Sequence, residues 1–161
     1  MGGLKTVYWD ACVFHALFGK EAGRAETCMR IHKAAQDGEI EIYTSTVTFV
    51  ECIWIKGQPD KLSKEHEQII QKFFMHKYIR AINCDRQIAE AARNLIWQFP
   101  HLKPKDAIHV ASAISKQIDE MHTYDRDDLI KLSDQIGSPA LKICQPEFIE
   151  EPKPPQTGNL I

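Results

Sequence analysis

The sequence predicts an α/β fold, a three-layer α/β/α sandwich around a mostly parallel sheet of about five strands. Three observations lead there. Short β-branched runs alternate with longer segments of helical periodicity from one end of the chain to the other. The helical segments are bounded by capping residues, Gly or Pro. A chain of 161 residues with 43% apolar and 26% charged residues is ordinary for one globular domain with a sizeable core.

Each element has its own signal. Thr6–Trp9 is β-rich and passes straight into a helix that stops near Gly19. "EAGRAETCMRIHKAAQDG" carries Cys28, Ile31, Ala34 and Ala35 at helical spacing and ends at Gly38. "EIEIYTST" alternates as a strand, and "VTFVECIWI" returns to helical spacing before "KGQPD" closes it. Ser63 caps the helix "SKEHEQIIQKFFMHKY", with Ile69, Ile70, Phe73 and Phe74 expected to face inward. "YIRAINC" is a third strand, and Asp85 caps "RQIAEAARNLIWQF", which halts before Pro100. The helix "LKPKDAIHVASA" follows, with Pro104 suited to its first position. "DEMHTYD" is the fourth strand, "RDDLIKLSDQIG" a helical turn and "LKIC" a fifth strand. Residues 1–148 are expected to form the domain and 149–161, with Pro152, Pro154 and Pro155, an extended tail.

Composition excludes several function classes. A net charge of −2, from 20 Lys and Arg against 22 Asp and Glu, rules out a grossly basic nucleic-acid coat but leaves room for a local basic patch. The five cysteines form no CxxC pair, so neither a zinc knuckle nor a thioredoxin-type motif is available. Four of them sit in apolar runs, which reads as a reducing, cytoplasmic setting. No run approaches the ~18 apolar residues of a membrane span. There is no Gly-rich phosphate loop and no serine-hydrolase elbow.

Acidic residues at segment junctions remain. In a parallel α/β sheet, ligands bind at the C-terminal edge. Asp10 and Asp125 lie just beyond the first and fourth strands, while Glu51 and Asp106 lie near the starts of two helices. All four are therefore expected at that edge. Taken singly, each has a capping role available, including a Thr48–Glu51 capping box. Together, their repulsion has to be relieved by protonation or by a cation, and oxygen-only ligands suit Mg²⁺ or Mn²⁺. Lys103, Lys105 and Arg126 flank two of these acids and are candidates for phosphate contacts. His15, His109 and His122, beside apolar runs, read as structural.

The stretches "YWDACVF", "TVTFVEC", "LKPKDAIHVASA" and "MHTYDRDD" resemble, in order, the four acidic signatures of the PIN domain family, which includes VapC-like toxin ribonucleases. The resemblance spans roughly residues 5–146. It implies a metal-dependent nuclease in which Asp10, Glu51, Asp106 and Asp125 hold Mg²⁺ or Mn²⁺ and Thr123 orients a carboxylate. Asp127 or Asp128 is an alternative or supplement to Asp125. It also implies RNA as substrate and an antitoxin protein as partner. The apolar stretches "VTFVECIWI" and "EQIIQKFFMHKYI" offer more hydrophobic surface than one thin sheet covers, which suits a homodimer that binds such a partner. The rival expectation is a PIN-like module that binds RNA or protein without cutting.

Overall fold

In a computed structural model of the chain, residues 3–150 are described. The strands are β1 (Lys5–Trp9), β2 (Ile40–Ser45), β3 (Ile79–Ile82), β4 (Glu120–His122) and β5 (Lys142–Cys144). The helices are α1 (Ala11–Phe18), α2 (Ala25–Gln36), α3 (Val47–Glu51), α4 (Lys64–Phe74), α5 (Arg86–Gln98) and α6 (Pro104–Ser115). A 3₁₀ turn covers Ile130–Leu132. From residue 151 onward, the Pro-rich tail lies outside the described residues.

The sheet runs β3-β2-β1-β4-β5, with every neighbouring pair parallel. The five-stranded α/β expectation therefore holds. β1 is central, and its alternate side chains feed two cores. Tyr8 joins Ala107, Val110, Ala111 and Met121 on the face covered by α5 and α6. Val7 and Trp9 join Phe14, Cys28, Ile31 and Ile42 on the face covered by α1 and α2. Burial on both faces explains why β1 is apolar through Val7, Tyr8 and Trp9.

Three local expectations fail. The run "VTFVECIWI" is helical only through Glu51, because Cys52 (φ −88°, ψ 64°) leaves the helical region. Beyond that point Cys52 and Ile55 turn inward while Ile53 and Trp54 stay exposed, a pattern that helix spacing alone does not separate. The capping box does not form either, since the Thr48 hydroxyl lies 2.7 Å from that of Thr44. On α4, Phe73 and Phe74 pack against the core while Ile69 is 48% exposed.

The face of β1 and β4 that carries Val7 and Trp9 also holds a closed polar network. Trp9 Nε1 donates to His122 Nδ1 at 3.2 Å, which leaves His122 Nε2 to donate to Glu120 at 3.1 Å. Lys5 and Lys142 each approach Glu120 at 3.0 Å. These bonds, that from His122 foremost, hold the Glu120 carboxyl far below its usual range. Cys144 stands close to this pair. With both imidazole nitrogens and the carboxylate already engaged, the group serves the sheet.

Candidate acidic site at the carboxyl edge

Asp10 follows β1 directly and occupies the N-cap position of α1 with extended backbone (φ −80°, ψ 177°), yet its carboxylate caps nothing. Instead, Thr123 Oγ1 donates to Asp10 Oδ2 at 2.5 Å and Cys12 Sγ donates to Oδ1 at 2.8 Å. Thr123 also accepts from the Asp125 backbone N–H at 3.1 Å. One fully buried hydroxyl thus ties the end of β1 to the segment after β4. Asp10 is itself 6% exposed, and burial raises its pKa against the opposing pull of His109.

Glu51 closes α3, and Asp106 stands in the first turn of α6. His109, one turn further along α6, places Nε2 2.7 Å from Glu51 Oε1 and Nδ1 2.6 Å from the Tyr8 hydroxyl. Lys105 Nζ approaches the other Glu51 oxygen at 3.3 Å. Burial pushes the Glu51 carboxyl upward, but the His109 bond and charge, with Lys105, outweigh it and leave the pKa lowered. Asp106 goes the other way. Burial, with the Asp125 and Asp10 charges close by, pushes its carboxyl up to about 6.

Asp10, Glu51, Asp106 and Asp125 line one cavity of about 340 Å³, together with His109, Cys12, Tyr124 and Arg24. The capping reading of Asp125 is also true, since its Oδ1 accepts from the Asp128 N–H at 2.9 Å. Ligand atoms of Asp106, Asp125 and Asp128 lie within 4.8 Å of one another; Asp10 and Glu51 line the cavity outside that triad. Of the two ambiguous acids, Asp128 is therefore brought in, while Asp127 is exposed. A larger groove of about 900 Å³ runs along α5, the end of α6 and β3, but Asp85, its one carboxylate, caps α5.

The donor set fits a hard divalent cation. The carboxylates supply oxygen, the Cys12 thiol is kept protonated by burial and by the adjacent Asp10, and both His109 nitrogens are engaged. The three flanking cations have other neighbours. Lys105 pairs with Glu51, and Lys103 with Asp128 at 3.3 Å. Arg126 does not line the cavity; with the Gln145 amide oxygen turned toward it, Nε and Nη2 both donate at 3.1 Å. Sequence reasoning missed Arg24, Tyr124 and the His109 bridge. The i, i+3 spacing of Asp106 and His109 was the one local signal for the bridge.

Comparison with known proteins agrees with this picture. No curated relative matches the sequence at a significant level. Among solved structures, VapC20 from Mycobacterium tuberculosis, described as a sarcin-ricin loop cleaving toxin, superposes with a TM-score of 0.58 at 17% identity, over 75% of this chain and 91% of that one. A toxin-antitoxin complex from Klebsiella pneumoniae gives 0.59 at 21% identity, over 89% and 99%. FitAcB from Neisseria gonorrhoeae gives 0.57 at 14% identity, over 87% and 97%. At these identities the likeness shows the fold. The PIN domain family matches residues 7–134, most of the chain and all four acidic segments. The chain belongs to the PIN domain family.

Proposed function

We propose that the protein is a metal-dependent ribonuclease that hydrolyses RNA phosphodiester bonds, with Asp10, Glu51, Asp106 and Asp125 holding Mg²⁺ or Mn²⁺. One observation carries the reading. Four carboxylates from four separate segments face one small cavity, where burial, together with the Asp125 and Asp10 charges, raises Asp106 to about 6. Such crowding costs stability unless a cation relieves it. A divalent ion there supplies activation of water and neutralises charge on the phosphate in an in-line displacement. The residues do the positioning. Thr123 aims Asp10, His109 and Lys105 keep Glu51 ionised, and Asp128 adds a further carboxylate beside Asp106 and Asp125.

A role as the toxin of a toxin–antitoxin pair, acting in the cytoplasm, rests on the family and on exposed apolar surface. Phe49, Val50, Ile53 and Trp54 are 42–74% exposed, next to Glu51, and Phe49 contacts Phe74 of α4 at 5.0 Å between centroids. This face suits an antitoxin or a second copy in a homodimer. No helix among the described residues is long and apolar enough to cross a membrane.

The test is cleavage of RNA with Mg²⁺ or Mn²⁺ by the parent and by Asp10→Asn, Glu51→Gln, Asp106→Asn and Asp125→Asn. Loss of cutting in all four variants with unchanged circular dichroism, and in the parent on adding EDTA, supports the reading. Full activity in the four variants overturns it. RNA binding by a parent that never cuts would favour the non-catalytic module. Growth arrest on expression without a partner distinguishes a toxin from a processing enzyme.

A further inference from the structure

We infer that Arg24, held against Tyr124 at the rim of the acidic cavity, is the anchor for a phosphate of the RNA strand next to the bond being cut. The inference rests on the ribonuclease reading above and names the residue that seats its substrate.

A cavity ringed by carboxylates repels a polyanion, so the strand needs a cation at the rim that is not committed to those acids. Lys105 and Lys103 are committed, to Glu51 and Asp128. Arg24 lines the cavity, and its ion-pair partner is Glu21, at 3.2 Å, which does not. Its guanidinium carbon lies 4.2 Å from the centroid of the Tyr124 ring. Stacking of this kind covers the flat face of the guanidinium, and with Nη1 donating to Glu21 it leaves the remaining edge N–H groups to grip a phosphate.

The platform is fixed. The Tyr124 backbone N–H donates to Cys12 Sγ at 3.2 Å, and the Tyr124 hydroxyl lies 3.2 Å from Cys28 Sγ on α2. Tyr124 also stands between Thr123 and Asp125, so a phosphate on Arg24 lies beside the carboxylate cluster. The backbone before Arg24 is equally set. Arg24 N–H donates to the Glu21 carbonyl at 3.1 Å across a turn in which Gly23 has φ +77°, a conformation that favours glycine.

The experiment uses the full chain in the Asp106→Asn background with a labelled single-stranded RNA oligonucleotide, so binding is read independently of cleavage. Arg24→Ala is expected to weaken RNA binding roughly tenfold, as loss of a charge-assisted contact does. It should also lower the slope of log affinity against log salt by about 1. Arg24→Lys should recover part of the affinity. Tyr124→Leu should weaken binding and Tyr124→Phe restore it, since the ring is the support. In the otherwise unaltered chain, Arg24→Ala should raise KM far more than it lowers kcat and leave Mn²⁺ affinity by calorimetry unchanged. Unchanged RNA affinity and salt slope in Arg24→Ala overturns the inference, as does a loss confined to Mn²⁺ affinity. If the parent never cuts RNA but Arg24→Ala still loses binding, the nuclease reading falls and the anchor stands.

Discussion

His109 Nε2 lies 2.7 Å from Glu51 Oε1 while its Nδ1 lies 2.6 Å from the Tyr8 hydroxyl, so a 2%-exposed ring joins the rim of the site to the central strand. Donation to the carboxylate requires a proton on Nε2; Nδ1 accepts from Tyr8 in the neutral ring and donates to it in the charged one. Partners of this kind orient a ligand and set its basicity. His109→Leu is expected to weaken Mn²⁺ binding about 10–100-fold. It should also cost about 1–3 kcal/mol of stability, because the Tyr8 hydroxyl is left buried without its partner. His109→Gln, whose amide can still donate to Glu51, should recover part of the metal affinity. Calorimetric Mn²⁺ titration beside urea unfolding checks both effects.

Thr123→Val keeps the shape of the side chain and removes the hydroxyl that donates to Asp10 and accepts from Asp125 N–H. Asp10 is then buried with the Cys12 thiol as its side-chain donor. The variant should fold, with kcat reduced by about 10–100-fold, as for other residues that orient a metal ligand. Thr123→Ser should retain most activity. Parental kcat in Thr123→Val would remove Thr123 from the positioning machinery.

Two carboxyls give the metal-free protein opposite pH responses. Asp106 has a folded pKa of about 6 against an ordinary 3.8, so its contribution is fully present below 3.8 and is lost as pH rises through about 6. Asp106→Asn should therefore raise Tm in EDTA at pH 8 and leave it unchanged at pH 4. Glu120 is depressed below its ordinary 4.5, so its contribution is present above that value and is lost as pH falls below it. Glu120→Gln should lower Tm at pH 7 and matter less in acid. Scanning calorimetry across pH 3–8 tests both signs.

The chemistry of the cut ends separates water attack from attack by the neighbouring 2′-hydroxyl. The latter needs an acid and a base tuned near neutral pH. Here His15 stacks on Trp54 at 4.4 Å, His122 is fixed between Trp9 and Glu120, and His109 is bound on both sides. Products should carry 5′-phosphate and 3′-hydroxyl ends, and a 2′-deoxy nucleotide at the scissile position should still be cut. End-labelling and mass spectrometry of the fragments give the answer; 2′,3′-cyclic phosphate would reopen the histidines.

What the sequence discloses follows distance along the chain. Caps are local and were legible: Ser63 Oγ accepts from His66 N–H, and Asp85 Oδ1 from Ile88 N–H. Strand–helix alternation led to a parallel sheet, and that topology led to four acids on one edge. The competing capping roles also resolve physically. Asp125 caps a turn and lines the cavity, whereas Asp10 sits at a cap position with its carboxylate drawn away by Thr123. Contacts between distant segments left no local trace. Arg24 meets Tyr124 because α2 packs beside the segment after β4, and the run after Glu51 leaves the helix through backbone angles that apolar spacing does not encode.

The bond from Thr123 to Asp10 joins residues 113 apart, and β4 must seat beside β1 before it can form. Pairings between such remote segments close late. A ribosome that has released only β1 through β3 has therefore made a chain that carries Asp10 and Glu51 but no enclosed pocket. Truncated or stalled products that end before β4 should therefore lack the pocket, which closes only once β4 and the segment after it are available to β1.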